Sequence, residues 1–161
     1  MSSSVALPDQ SVLLRGTVEQ VFNLLAALDG AVILYRDTTS AAAEFHIPVG
    51  RFRFITKERV TFDPEAHRIE FDQLQPPFHG VAGAHEVFQL EPVDGGSTRL
   101  MVSAVLHSQG GVLGWLLTRW LVGYFWWKVE RRHLDRLRER CEVLFASSSE
   151  GRTAGERGLP T

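Results

Sequence analysis

Between Thr38 and about Ser108 the apolar residues recur every second position, and on both sides of that stretch the period lengthens to that of a helix. The period-two segments are "TTSAAAEFHI", "GRFRFITKERVTF", "RIEFDQL", "GVAGAHEVFQLEPV" and "STRLMVSAVLH". Between them lie "PVG", "DPEAH", "QPPF" and "DGG", short enough for hairpins, so the pattern predicts an antiparallel meander. Upstream, Thr17 and Gln20 have the spacing of a capping box, and Val18, Val21, Phe22 and Leu25 follow at helical intervals. A helix is expected over 18–28, stopped at Asp29-Gly30, with a short second helix over "AVILY" and an opening strand at Ser11–Arg15. Downstream, one long helix is expected from about Val112 to Leu144. Helices at the two ends of a meander give an α+β layout in which a curved antiparallel sheet offers one face to the terminal helix.

Strand parity selects the inward side chains, because alternate residues point to opposite faces. Phe52, Phe54, Thr56, Glu58, Val60 and Phe62 form the inward set on the strand whose odd positions are mainly basic. Ile69, Phe71 and Gln73 face inward on the next strand, then Ala82, Ala84, Glu86, Phe88 and Leu90, then Leu100, Val102, Ala104 and Leu106. Parity therefore sets Glu58, Gln73 and Glu86 among apolar neighbours, where a ligand pocket carries its few orienting polar groups. A carboxyl in that setting has its pKa raised and can serve as acid, base or hydrogen-bond partner, which makes Glu58 and Glu86 the candidate catalytic residues. The alternative is that they reach solvent at a rim or pair with basic side chains.

The terminal helix begins with "GWLLTRWLVGYFWWK", which holds all four tryptophans. A bilayer-spanning helix needs about 20 apolar residues. The run from Val112 to Trp127 is shorter and is interrupted by Arg119, so a soluble helix is expected. Leu113, Leu117, Trp120, Tyr124 and Trp127 form a stripe that continues, after Glu130, through Leu134, Leu137, Cys141 and Leu144; this stripe is expected to lie against the sheet. Trp115, Val122 and Trp126 then fall on a second apolar face, a candidate for self-association or transient membrane contact, unless the chain's own N-terminal elements cover it.

Composition removes several function classes. Seventeen basic and nineteen acidic residues leave a formal charge of -2 and no electrostatic footprint for nucleic acid. His46, His85 and His107 point outward by parity, His79 sits beside Pro76-Pro77 as a loop residue, and neither HExxH nor paired-cysteine spacing occurs; no metal and no cofactor is expected. There is no G-x-S-x-G elbow, and the glycines near 95 suit a hairpin better than a phosphate cradle. The single Cys141, at helical spacing from leucines, is expected in the core, and one cysteine with no secretory signal in "MSSSVALPDQ" suits a reducing cytoplasm. One domain over 1–146 is expected, followed by a tail over 147–161 with almost no apolar surface, expected to be disordered.

The motifs "TVEQVFNLL", "PVGRFRF" and "LEPVDGGSTRL", with the terminal helix, resemble the helix-grip fold of the START/Bet v 1 (SRPBCC) superfamily over about residues 5–146. The nearest branches are the polyketide cyclase/dehydrase-like proteins and those similar to the G-type subunit of carbon-monoxide dehydrogenase. The resemblance implies two short helices after the first strand and a hydrophobic cavity between sheet and helix. Its expected occupant is a small apolar molecule, a lipid, quinone or polyketide-like compound. Parity and the helix stripe give the expected lining: Phe52, Phe54, Thr56, Glu58, Phe71, Gln73, Ala84, Glu86, Phe88, Val102, Leu117, Trp120 and Tyr124. Carriage of a ligand, cyclase or dehydrase chemistry, and accessory docking on an enzyme or membrane all remain compatible with that resemblance.

Overall fold

The computed structural model describes residues 3–49, 51–75, 81–108 and 111–146. Thr17 caps the first helix, α1 (Val18–Ala26), through a complete capping box: its hydroxyl accepts from the Gln20 N–H at 3.3 Å, and the Gln20 side chain accepts from the Thr17 N–H at 2.9 Å. Before it run β1 (Ser3–Ala6) and β2 (Gln10–Arg15), both paired antiparallel with β8 (Ser97–Ser108). Only the second was expected. The two are one strand line interrupted at Leu7-Pro8-Asp9, where Pro8 has no N–H to give to a ladder; Leu7 still donates to the Ala104 carbonyl at 2.9 Å.

The short helix expected over "AVILY" is instead a strand, β3 (Val32–Arg36). Its β-branched and aromatic residues favour extended backbone, and the following turn pairs it with β4 (Ser40–Val49). Asp37 makes that turn: its carboxylate accepts from the backbone N–H groups of Thr39 and Ser40, at 2.8 and 2.7 Å. β5 (Phe52–Asp63), β6 (Arg68–Gln75) and β7 (Val81–Val93) complete the meander. Among the described residues the sheet has eight strands in the order β1-β8-β7-β6-β5-β4-β3, with β2 also on β8.

The terminal helix is continuous in direction but not in winding. α2 (Gly111–Leu117) passes through a π-helical turn at Thr118–Val122 into α3 (Gly123–Phe145). Leu134, Leu137 and Cys141 of α3 close over Leu14, Val60, Ile69, Leu90 and Leu100 of the sheet and over Val21 and Phe22 of α1. Gly16, at φ +119°, lets the end of α3 approach, since a Cβ there would lie 2.7 Å from the Phe145 ring. The continuous core therefore sits under the C-terminal half of the helix, and the N-terminal half covers a different kind of surface.

The expected stripe on that N-terminal half is not the inward one. Leu117, Trp120 and Tyr124 are 54%, 72% and 57% exposed, and Leu113, Trp127 and Leu144 also lie outside. The buried positions are Thr118 and Gly123, five apart, followed by Leu134, Leu137 and Cys141 at ordinary helical spacing. The extra residue of the π turn resets the helix phase. The small residues Thr118 and Gly123 thereby pack inward, while Leu113, Leu117, Trp120 and Tyr124 turn away. Thr118 can be buried because its hydroxyl donates to the Gly114 carbonyl at 2.8 Å, and Gly123 because it leaves room for Leu7.

Candidate functional site

The site is built on the inward face of β5, β6 and β7. Cross-strand partners share a face, and Glu58 pairs with Gln73 while Phe71 pairs with Glu86, so these four side chains adjoin on the concave side. A register shift between Lys57 and Glu58 leaves Leu74 as an extra residue on β6, half exposed, and keeps Gln73 opposite Glu58. Glu58 and Glu86 are 8% and 9% exposed. Thr56, fully buried two residues before Glu58, donates its hydroxyl to Glu58 Oε1 at 2.9 Å. From the helix, the Trp126 indole N–H donates to Glu86 Oε1. One turn further, Glu130 brings a third carboxyl, whose Oε1 is buried with no hydrogen-bond partner; Gln73 Nε2 is a buried donor in the same condition.

Electrostatics sets the protonation of this group. Burial is the main cause in all three cases, because it disfavours the charged form. Glu58 is raised by burial, against the lowering effect of the Thr56 hydrogen bond. Glu86 is raised well above the usual carboxylate range by burial and then by the Glu130 and Glu58 charges, while the Trp126 hydrogen bond opposes the rise. Glu130 is pushed up to about 7 by burial and by the Glu58 charge. Among the described residues no basic side chain pairs with any of the three. Nor does any group of three His, Cys, Asp or Glu among them stand where it could hold a metal ion, so the carboxyls feel one another's charge without surrounding a common point.

Around these carboxyls Phe54, Phe71, Gln73, Trp126 and Glu130 are only partly buried. Phe71 packs edge-on to Phe45 at 6.2 Å between centroids and against Phe88 at 5.0 Å, which links the surroundings of the carboxyls to the core. Of the expected lining, Thr56, Glu58, Ala84 and Glu86 are buried and Phe54, Phe71 and Gln73 partly buried, whereas Phe88 and Val102 belong to the packed core. The side chains of Phe52 and Val122, like residue His79, lie outside the described residues. Leu117, Trp120 and Tyr124, expected in the lining, are exposed instead. Trp126, expected on an outer face with Trp115, points inward to Glu86, and Trp115 is half-buried beneath the Arg119 guanidinium, 5.2 Å from its ring.

Sequence reasoning passed over Glu130 as a gap in an apolar stripe. A signal existed: counting back from Cys141, Leu137 and Leu134 at the same spacing reaches Glu130 and then Trp126. His46 and His85 lie on the outer side as parity expects, His46 beside Glu44 at 2.9 Å and His85 bonded to Asp72 at 2.7 Å. Among the described residues no helix is long and apolar enough to cross a membrane.

Comparison with solved structures decides the fold. A START superfamily protein from Mycobacterium smegmatis superposes with a TM-score of 0.62 at 17% identity, over 87% of this chain and 99% of its own. The Zhui aromatase/cyclase from Streptomyces sp. R1128 superposes at 0.58 and 15% identity, over 99% and 100%. The chain has the START-like helix-grip fold. Norcoclaurine synthase from Thalictrum flavum, as a point mutant with a transition-state analogue, shares it at 0.60 and 12% identity, over 87% and 97%. No family model and no curated protein matches the sequence.

Proposed function

We propose that this protein binds a small, largely apolar molecule in the cleft between the curved sheet and the helix around Trp126. The observation that carries the proposal is the set of buried polar groups left incomplete there. Glu130 Oε1 and Gln73 Nε2 lack partners in an apolar setting, which is costly unless something supplies them, and a ligand with one or two hydroxyl or carbonyl groups would do so. The aromatic wall of Phe45 and Phe71 would take the rest of its surface. The buried Cys141 is compatible with a reducing cytoplasm as the place of action. Native mass spectrometry of protein purified from its own host tests the proposal. A bound apolar molecule, released on denaturation and lost from a Glu86→Gln/Gln73→Ala variant that still folds, is the expected result. A parent protein that carries nothing, and takes up no member of a panel of lipids, quinones and aromatic polyketones, rejects it.

A second reading is favoured by the same carboxyls: acid–base catalysis on the bound molecule. Three neighbouring carboxyls whose pKa values are all raised by burial, that of Glu130 to about 7, supply both a protonated and an ionised member at once. On a chain with alternating carbonyls, the ionised member would remove a proton from a carbon between two of them. The resulting carbanion would attack another carbonyl, and the protonated member would give its proton to that oxygen, the steps of an aldol ring closure. Two of the solved structures that share the fold are enzymes, an aromatase/cyclase and norcoclaurine synthase. Unchanged turnover of a β-polyketone by a Glu58→Gln/Glu86→Gln variant would remove the catalytic reading and leave the binding one standing.

A further inference from the structure

The first half of the terminal helix turns a row of large apolar side chains out of the molecule. Val112, Leu113 and Trp120 are 78%, 71% and 72% exposed, and Leu117, Tyr124 and Trp127 extend the same face. With about 150–250 Å² on each aromatic side chain, the exposed part of these residues comes to several hundred Å², at or above the largest patch found on ordinary monomers. Residues 147–161, the tail expected to be disordered, lie outside the described residues; their sequence has one large apolar side chain, Leu159.

Charge identifies the occupant. From Ser97 to Val129 the sequence contains no acidic residue, whereas Arg119 and Lys128 flank the exposed aromatics. Trp120, Tyr124, Trp127 and Arg131 follow at steps of four, three and four, so the stripe ends on a guanidinium, with Arg132 beside it. A two-fold pairing of two copies would set this patch on itself and bring its basic rim against an equally basic rim. An anionic bilayer meets both halves of the pattern. Its acyl region takes the leucines, its interface suits tryptophan and tyrosine, and its headgroups take Arg119, Lys128 and Arg131.

We propose that the outward face of α2 and the start of α3 docks on an anionic lipid surface, the helix lying in the plane of the interface without crossing it. Arg119 and Trp120 also border a groove of about 610 Å³ against β1, lined by Val5, Leu7 and Pro8, which would open at the docked surface. The docking stands independently of what the inner cleft binds.

Flotation of the full chain with phosphatidylcholine vesicles, with and without phosphatidylglycerol, tests this. Binding is expected to the anionic vesicles, to weaken with added salt, and to fall roughly tenfold or more in Leu113→Ser/Trp120→Ser, since each removes a large apolar side chain from the interface. Lys128→Gln/Arg131→Gln should lose the preference for phosphatidylglycerol while keeping the parent's circular dichroism and thermal midpoint. Absence of flotation in the parent, or equal flotation of all variants, overturns the proposal. A concentration-dependent dimer that Leu113→Ser/Trp120→Ser abolishes, with no vesicle binding, overturns it in favour of a second copy.

Discussion

Replacing Glu130 by Gln should make the folded protein more stable above neutral pH. The amide has the shape and donor capacity of the protonated acid but cannot ionise. In the folded chain Glu130 holds its proton up to about 7, against an ordinary 4.5 when unfolded, because burial and the Glu58 charge oppose ionisation. Its contribution is therefore fully present below about 4.5, declines as the unfolded chain releases its proton first, and levels off above about 7. Each pH unit across that interval removes about 1.4 kcal/mol, so the whole passage removes about 3 kcal/mol at most, less for the solvent that the partly buried side chain retains. Urea denaturation of parent and Glu130→Gln at steps from about pH 4 to about pH 9 measures it. The two should coincide at the acid end and diverge by about 2 kcal/mol at the alkaline end, with the variant the more stable. Residual slope in the variant reports Glu58 and Glu86. A parent whose stability is flat through this range, or a variant less stable at every pH, would refute the view that the carboxyl is held in its neutral form by burial.

Other expectations follow from single contacts. Glu86→Ala should cost about 1 kcal/mol more than Glu86→Gln in chemical denaturation, because only the amide keeps an acceptor for the Trp126 indole; equal losses would deny that bond a role in stability. Leu134→Ala, at a fully buried position on α3, should cost about 2–5 kcal/mol and lower the thermal midpoint accordingly. Gly16→Ala combines a positive φ with a Cβ 2.7 Å from the Phe145 ring, so it should lose more than about 1 kcal/mol, and a thermal melt matching the parent's would deny the close approach of helix and turn.

Local chemistry made most of the framework legible. Period-two alternation with short Gly, Pro and Asp connections made β5 to β8 and their order legible, because alternating side chains suit a one-sided sheet and short connections join antiparallel neighbours. The capping box fixed the start of α1, and parity brought Glu58, Gln73 and Glu86 to one face. β3 was misjudged because five residues are too few for periodicity to tell strand from helix; the Asp37 turn and the partner strand made the choice.

The helix shows where local reasoning ends. Periodicity in "VLGWLLTRWLVGYFWWK" locates the largest apolar face, and hydrophobicity alone sends that face inward. Tertiary structure decided otherwise. The inward phase of α3 is fixed by Leu134, Leu137 and Cys141 in the core, which draws in Glu130 and Trp126 behind them. A π turn between Thr118 and Gly123 then adjusts the first half to the narrow space left by Leu7. The sequence by itself determined the strands β2 and β4 to β8, the order of the meander, the inward carboxyls of the sheet and the existence of a long aromatic-rich helix, because each depends on neighbours a few residues away. Which face of that helix meets the sheet, and hence the third carboxyl and the exposed tryptophan, depends on how distant segments pack and on one extra residue in a helical turn.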